Sequence, residues 1–323
     1  MTEVVAVDLG GTNIRAARVD ARGTILAREK IPTRAEEGFG RIVPRIAEMI
    51  SQVRGPNVAG IGFATPGTPD PETGAMNSRA VNIADSAGYP LCPRLTELTG
   101  LPAAADNDGN LAAYAEWWRG AARGQRVVLM FTLGTGIGGG LVVDGRIYHG
   151  AANICEFGHI SIDLEGRDCV SGVQGAWEAY ASAAAAGKDA AAALKEGGEA
   201  ARASRLWALC GGNPDAVEAR HLCDAAREGD AFAGKVLDRF AEYFAAGLGT
   251  FMTALNPSCV VLGGGMALAG EVLFSRVRAA LLRNRAYRPC VDGCKLVAAE
   301  LGDDAGLIGA ARLAFARAGV EVS

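Results

Sequence analysis

Two stretches of this chain share one pattern. Val4 to Val19 is a run of β-formers that breaks at Leu9-Gly-Gly-Thr12 and resumes as a second run, and Val127 to Val143 does the same across Leu133-Gly-Thr-Gly136. Each predicts a hairpin with a glycine-rich loop between its strands. Laid over one another, Leu9-Gly10 falls on Leu133-Gly134 and Val19-Asp20 on Val143-Asp144. A repeat of this kind predicts two similar domains, each offering a loop of bare backbone amides. Without a Cβ the backbone can approach an anion closely, so phosphate is the natural cargo of such loops. A tight hairpin turn explains either loop alone. The matching frames point to a nucleotide site.

At 323 residues the chain is long for one core, and two domains are the expectation. After the turn Asp20-Ala-Arg-Gly23 a third strand covers 24–28. A helix follows over 36–53, which Pro44 either kinks or begins. Val58 to Ala64 reads as a buried strand ending in the turn Thr65-Pro-Gly67, and Asp70 to Pro90 as a long surface loop. Leu101 to Ala105 is a further strand, and Asp106-Asn-Asp-Gly-Asn110 opens a helix to Trp118. Residues 120–126 form the expected boundary. Beyond the second hairpin come a loop-rich stretch over 148–175 and a helical one over 176–256. A strand over 258–265, a helix over 270–284, a strand over 295–300 and a closing helix over 303–314 complete the chain. The alternation places the fold in the α/β class with a helix-rich second domain. A small domain over 1–120, joined by the closing segment 304–323, and a large one over 121–303 are expected.

Composition narrows the partners. A net charge of −4 predicts neither nucleic acid nor an anionic membrane as partner. No basic, apolar leader precedes Val4 and no stretch is long and apolar enough to span a bilayer. The eight cysteines are scattered, as reduced thiols are in a cytoplasmic protein, which is the expected location.

Three polar groups could carry chemistry. Asn107-Asp108 sits at a strand end and helix start, where helix capping is the plainer explanation. Glu156-Phe-Gly-His159 lies in a loop, and an internal Glu–His hydrogen bond would account for it. Glu178 could be an exposed residue in a first helical turn. Together with the glycine loops, however, they follow an ordered pattern: Asp8-x-Gly-Gly-Thr12, Pro66-Gly67, Asn107-Asp108, Leu133-Gly-Thr-Gly-Ile-Gly-Gly139, Glu156-x-Gly-His159, Asn256-Pro257 with Gly263-Gly-Gly265, and Ala305-Gly-Leu-Ile-Gly-Ala-Ala311. Nearly end to end, this resembles the ROK family of bacterial sugar kinases and sugar-responsive repressors, most of all its glucokinase branch.

The resemblance implies the two-domain actin-like ATPase (ribonuclease H-like) fold and ATP-dependent phosphorylation of a hexose, with glucose the favoured acceptor. Carried over residue by residue, it makes Asp108 the catalytic base, and Asn107, Asp108, Glu156, His159 and Glu178 the sugar-hydroxyl ligands. Gly10, Gly11, Thr12, Gly134, Thr135 and Gly136 would hold phosphates, and Gly263, Gly264 and Gly265 would approach the adenosine end. Asp8 would place Mg²⁺ through water, because that ion keeps much of its hydration. A homodimer or dimer of dimers is implied as well. Repressors of this kind carry a DNA-binding segment before the first hairpin, and only three residues precede Val4 here, so an enzyme is expected rather than a sugar sensor. Another hexose, an N-acylated amino sugar or a polyphosphate donor are the alternatives within kinases.

In one place the chain departs from the family. The usual structural zinc takes the loop histidine and three cysteines spaced Cys-x-Cys-Gly-x-x-Gly-Cys-x-Glu. Here the run is Cys169-Val-Ser-Gly-Val-Gln-Gly-Ala-Trp-Glu178. Ser171 and Ala176 stand where two thiolates should be, and a structural zinc needs four good ligands. No zinc is expected. Packing and hydrogen bonds around Ser171 and Trp177 are expected to hold the loop instead, which leaves Glu178 the least secure sugar ligand.

Overall fold

A computed structural model describes residues 2–80, 83–153 and 156–322. By its contacts the chain divides into two compact units: residues 1–124, 140–155 and 300–323 form the first, and 125–139 with 156–299 the second. Residues 140–153, which a cut at 120 assigns to the later domain, thus pack with the earlier one.

The first unit is built on the sheet β3-β2-β1-β4-β5. The opening hairpin pairs β1 (Glu3–Leu9) with β2 (Asn13–Asp20), from Glu3 opposite Asp20 to Leu9 opposite Ile14. β3 (Ile25–Pro32) extends it on the outside and runs four residues beyond the expected strand. On the other side β1, β4 (Val58–Thr65) and β5 (Ala103–Asn107) are parallel. Side chains alternate across a strand, and here both faces are buried. Val5, Val7, Leu9, Ile61 and Phe63 join a core with Phe39, Ile42, Val43 and Ile46 of the helix Phe39–Val53 and Leu91 and Leu95 of the helix Leu91–Thr99. Pro44 lies inside the first of these helices, and the residues expected to begin it form a separate 3₁₀ turn, Ala35–Glu37. Among its described residues the segment 70–90 has no helix or strand of its own, but it is not merely a surface loop: Met76 and Ala80 are sealed in this core. Residues 81–82 within it lie outside the described residues.

The opposite face is covered by the closing helix, Ala305–Arg317. Its small side chains let backbones meet. A Cβ on Gly62 of β4 would stand 1.8 Å from the carbonyl oxygen of Ala310, and one on Gly309 1.9 Å from that of Leu111 in the helix Asp108–Trp118. The fully buried Glu116 fastens the same helix to the start of the closing segment. Its Oε1 accepts from the amides of Glu300 (3.0 Å) and Leu301 (2.9 Å), and its Oε2 from that of Ala121 (2.8 Å).

The second sheet has the order β10-β9-β6-β7-β8, from β6 (Val127–Leu133), β7 (Ile137–Val143), β8 (Arg146–Ile147), β9 (Cys259–Gly263) and β10 (Lys295–Ala298). β6, β9 and β10 are parallel. In the second unit the long helix Ala231–Leu255 is capped by Asp230, whose side chain accepts from the Ala233 amide, and ends at Asn256 in the left-handed region (φ 43°). Around Phe131 gather Phe157, Trp177, Phe244 and Phe251, with ring centroids 5.3–6.4 Å apart. The chain is therefore α/β throughout. Among the described residues no helix is long and apolar enough to cross a membrane. Cys92, Cys169, Cys210, Cys223, Cys290 and Cys294 are free thiols, and Cys155 lies outside the described residues. Burial pushes the Cys92 thiol up to about 12 and that of Cys223 up to about 11, so both stay protonated at neutral pH.

The close helix–strand contact can be tested with a pair of substitutions. Gly62→Ala forces a methyl into a backbone carbonyl and is expected to cost about 3 kcal/mol in urea unfolding. Gly40→Ala, in a helix with nothing within 4 Å of the added methyl, should leave stability level or raise it by about 0.5 kcal/mol.

Candidate functional site

In the first unit the candidate residues stand at the carboxyl ends of the parallel strands, where loops leave an α/β sheet and ligands are usually met. The register aligns Asp8 of β1 with Ala64 of β4, and Ala64 with Asp106 of β5. β5 runs two residues further than its apolar run predicts, because Asp106 and Asn107 pair with Ala64 and Thr65. Asn107 then caps the helix Asp108–Trp118, its Oδ1 accepting from Gly109 (2.9 Å) and Asn110 (3.3 Å). Its Nδ2 donates to the Gly67 carbonyl (3.0 Å), tying the cap to the turn after β4. Capping is thus real, and it aims the next residue. Asp108 is the first residue of that helix; it is exposed, and its Oδ1 accepts from the Gly109 amide at 2.8 Å. A carboxylate at a helix N-terminus with an open face can accept a proton from a bound hydroxyl.

Asp8 is different in kind. It is buried beside Gly306 of the closing helix and paired with Arg15, which also donates to the Asp303 carbonyl at 2.6 Å. Burial pushes its pKa up and the Arg15 guanidinium pulls it back. The loop after it is closed by Gly10, whose amide donates to Asn13 O (3.0 Å). Buried Thr33, just past the end of β3, braces it, donating from Oγ1 to Gly10 O (2.6 Å) and from its amide to Thr12 O (2.9 Å). One of the three expected phosphate-binding amides, that of Gly10, is therefore spent on the turn, while Gly11 and Thr12 stand exposed. Sequence reasoning missed Arg15 and Thr33. Both act across pairings that no local pattern reveals.

The second unit repeats the arrangement. The Gly134 amide donates within its turn to Gly136 O (3.1 Å), as Gly10 does in the matching frame, and Gly134 and Thr135 are exposed. Gly134 O accepts from the Ala183 amide (2.9 Å) at the start of the helix Ala183–Glu196, which Ser182 caps. Thr132 of β6 is level with Gly263 of β9, and a Cβ on Gly264 (φ 81°) would stand 2.5 Å from the Leu133 carbonyl oxygen. The two glycine runs, 134–136 and 263–265, are thereby brought side by side, and the latter leaves Gly264 and Gly265 exposed.

Glu156 is exposed, just before the short turn Phe157–His159. His159 Nε2 faces Glu178 Oε1 at 3.6 Å rather than the Glu156 side chain. Glu178 itself is tightly held: Oε2 accepts from the Ile137 amide (3.2 Å), and Oε1 accepts from the Cys169 thiol (3.2 Å). The glutamate thus links His159 to the amide that follows the 134–136 loop.

The residues of the loop 160–178 do not suit a structural zinc. Cys169 is hydrogen-bonded to Glu178, Ser171 makes only a local turn with the Val173 amide (3.3 Å), and Ala176 is buried without a donor atom. Among the described residues no three His, Cys, Asp or Glu side chains gather as a metal site. Trp177 anchors the loop: it is fully buried, stacks on Phe244 at 5.0 Å, and donates from Nε1 to Tyr243 O (3.1 Å). Backbone bonds from Ile162 to Gly175 O (3.0 Å) and from Trp177 to Ile160 O (2.8 Å) zip the loop's two sides. Tyr180 Oη accepts from the Arg167 amide (2.7 Å) and donates to Asp163 (3.1 Å). Ser171, expected to contribute, carries little of this.

Comparison with known proteins agrees with the motif pattern. A model of the ROK family matches residues 4–317. The chain is 35% identical to the glucokinase of Thermotoga maritima over 98% of each chain, and 36% identical to that of Streptomyces coelicolor over 96% of each. It is also similar to the solved structure of a ROK family glucokinase from Streptomyces griseus in complex with glucose and AMPPNP. That match has a TM-score of 0.76 and 34% identity, covering 97% of this chain and 99% of that one.

The loop yields a prediction. Dialysis against a strong zinc chelator should leave the thermal midpoint unchanged, and metal analysis should find less than stoichiometric zinc. Trp177→Ala should cost about 4 kcal/mol, as removal of a buried aromatic anchor does, measured by denaturant unfolding.

Proposed function

The chain belongs to the ROK family, and we propose that it is an ATP-dependent glucokinase that forms glucose 6-phosphate with Asp108 as general base. The observation that carries this reading is the exposed carboxylate of Asp108, held at the first position of a helix capped by Asn107. Near-full-length similarity to glucokinases supports the choice of acceptor, and similarity to a glucokinase in complex with AMPPNP supports ATP as donor.

In this reading Asp108 takes the proton of the sugar 6-OH as that oxygen attacks the γ-phosphorus. The new O–P bond forms while the bond from γ-phosphorus to the ADP oxygen breaks. Phosphoryl transfer leaves little covalent work to the protein, so positioning and charge neutralisation dominate. The second amide hydrogen of Asn107, and in the second unit Glu156, His159 and Glu178, serve the other sugar hydroxyls, which both donate and accept. The amides of Gly11, Thr12, Thr135 and Gly136 receive phosphate oxygens, and Gly263 to Gly265 lie towards the adenosine end. Mg²⁺, when bound with ATP, neutralises charge on the phosphates. Asp8 suits a hydrated ion because it offers a single carboxylate already shared with Arg15. We place the reaction in the cytoplasm, where ATP and reduced thiols are both found.

Coupled phosphoryl transfer with Mg²⁺-ATP should show glucose preferred over mannose, fructose, N-acetylglucosamine and N-acetylmannosamine. Preference for another sugar would move the acceptor, and activity with polyphosphate alone would move the donor. Asp108→Asn should lower kcat by about 10²–10⁴-fold; activity surviving that change would remove Asp108 as the base.

A further inference from the structure

Asp106 has been given no role so far, yet its carboxylate is the most heavily engaged polar group near Asp108. It is 1% exposed. Its Oδ1 accepts from the Asn107 amide (2.7 Å), from Asn110 Nδ2 (3.0 Å) and from Asn153 Nδ2 (3.2 Å). Its Oδ2 lies 2.6 Å from His149 Nε2, which is the donor to a carboxylate. Asn153 also takes Asn110 Nδ2 on its Oδ1 (2.8 Å) and donates to the Pro69 carbonyl (2.9 Å). It is buried and sits in the left-handed region (φ 55°), a conformation that non-glycine residues adopt only when their surroundings hold them there. The start of the helix Asp108–Trp118 and the segment 149–153 therefore converge on one carboxylate, and Asn153 ties the turn after β4 to them.

A buried carboxylate is costly unless its oxygens are satisfied, and here side chains supply three of the four donors. The fourth is the amide of Asn107, the residue that caps the helix and precedes Asp108. Rotation of that peptide would swing the base, and misplacement by about 1 Å can cost about 10²-fold in rate. We propose that Asp106 and His149 form a positioning pair for phosphoryl transfer. His149 locks the buried carboxylate, and the carboxylate locks the Asn107 amide and so the direction of Asp108.

The proposal rests on Asp108 being the base, but the clamp can be measured without turnover. Because Asp106→Ala could fail to fold, His149 is the position to vary. His149→Ala is expected to lower kcat for glucose by about 10–100-fold, with KM for ATP within about twofold and only a small fall in thermal midpoint. Exchange of the Asn107 amide should quicken by about tenfold. His149→Gln, whose side-chain amide can donate in place of Nε2, should recover most of the rate and the protection. A purely structural role would lower the midpoint and leave kcat of the folded enzyme alone. The proposal falls if His149→Ala keeps kcat within about twofold, if Asn107 exchange is unchanged, or if Gln restores no more than Ala. Were the unaltered enzyme to phosphorylate no sugar, the kinase reading would fall, and the exchange comparison would still decide whether the pair holds the Asn107 amide.

Discussion

Parallel strand pairing is the constraint on which the rest depends. In the first unit β1, β4 and β5 run side by side, and in the second β6, β9 and β10 do. In the first unit helices cover both faces of the sheet, so its strand ends are the places where polar side chains can reach solvent. Asp8, Asn107 with Asp108, and the glycine runs after β6 and β9 all stand at such ends. Closing the second face of the first sheet demands that the last helix lie almost on the strand backbone. Gly62 and Gly309 allow this, because nothing larger fits between the carbonyls they approach. The small residues in that helix are thus as much a part of the site's construction as the polar ones.

The same edge shows how three carboxylates in one unit come to differ. Asp106 is buried and satisfied by four donors, Asp8 is buried and leans on one arginine, and Asp108 is exposed on a helix start. In the proposed reading the proton acceptor must meet its substrate, and of the three only Asp108 is exposed. A group meant to hold geometry benefits from the opposite treatment, since a filled set of donors in a low-dielectric interior resists rearrangement. Asp106 and Asp108 are two residues apart, and the strand-to-helix switch between them sends one inward and the other out.

Much of this was legible from residue order. The repeat of glycine-broken strand pairs is visible because strand periodicity and glycine are both local signals, and both loops close with the same first glycine donating within its turn. The closing helix, expected over 303–314, forms over Ala305–Arg317. What stayed hidden was long-range. His149 lies 43 residues from Asp106, and Glu300 lies 184 from Glu116; no window of sequence contains either pair. Propensity also misplaced an edge. Asp106 and Asn107 are poor strand formers, so the strand was expected to stop at Ala105, but pairing with Ala64 and Thr65 overrides preference. Met76 and Ala80 reach the core from a stretch whose composition reads as surface for a similar reason.

The loop 160–178 poses the problem of holding a polar segment in place with few ligands for a metal. A zinc ion would fix such a loop by directional bonds from four points. Here direction and adhesion are divided between different groups. Adhesion comes from Trp177, whose ring fills space that Gly247 leaves open; a Cβ there would stand 2.3 Å from the indole. Direction comes from the paired backbone of Ile160, Ile162, Gly175 and Trp177 and from the Arg167–Tyr180–Asp163 chain. Because Glu178 follows Trp177 directly, the anchor that seats the indole also sets where the glutamate emerges. That single step accounts for its meeting Ile137, Cys169 and His159.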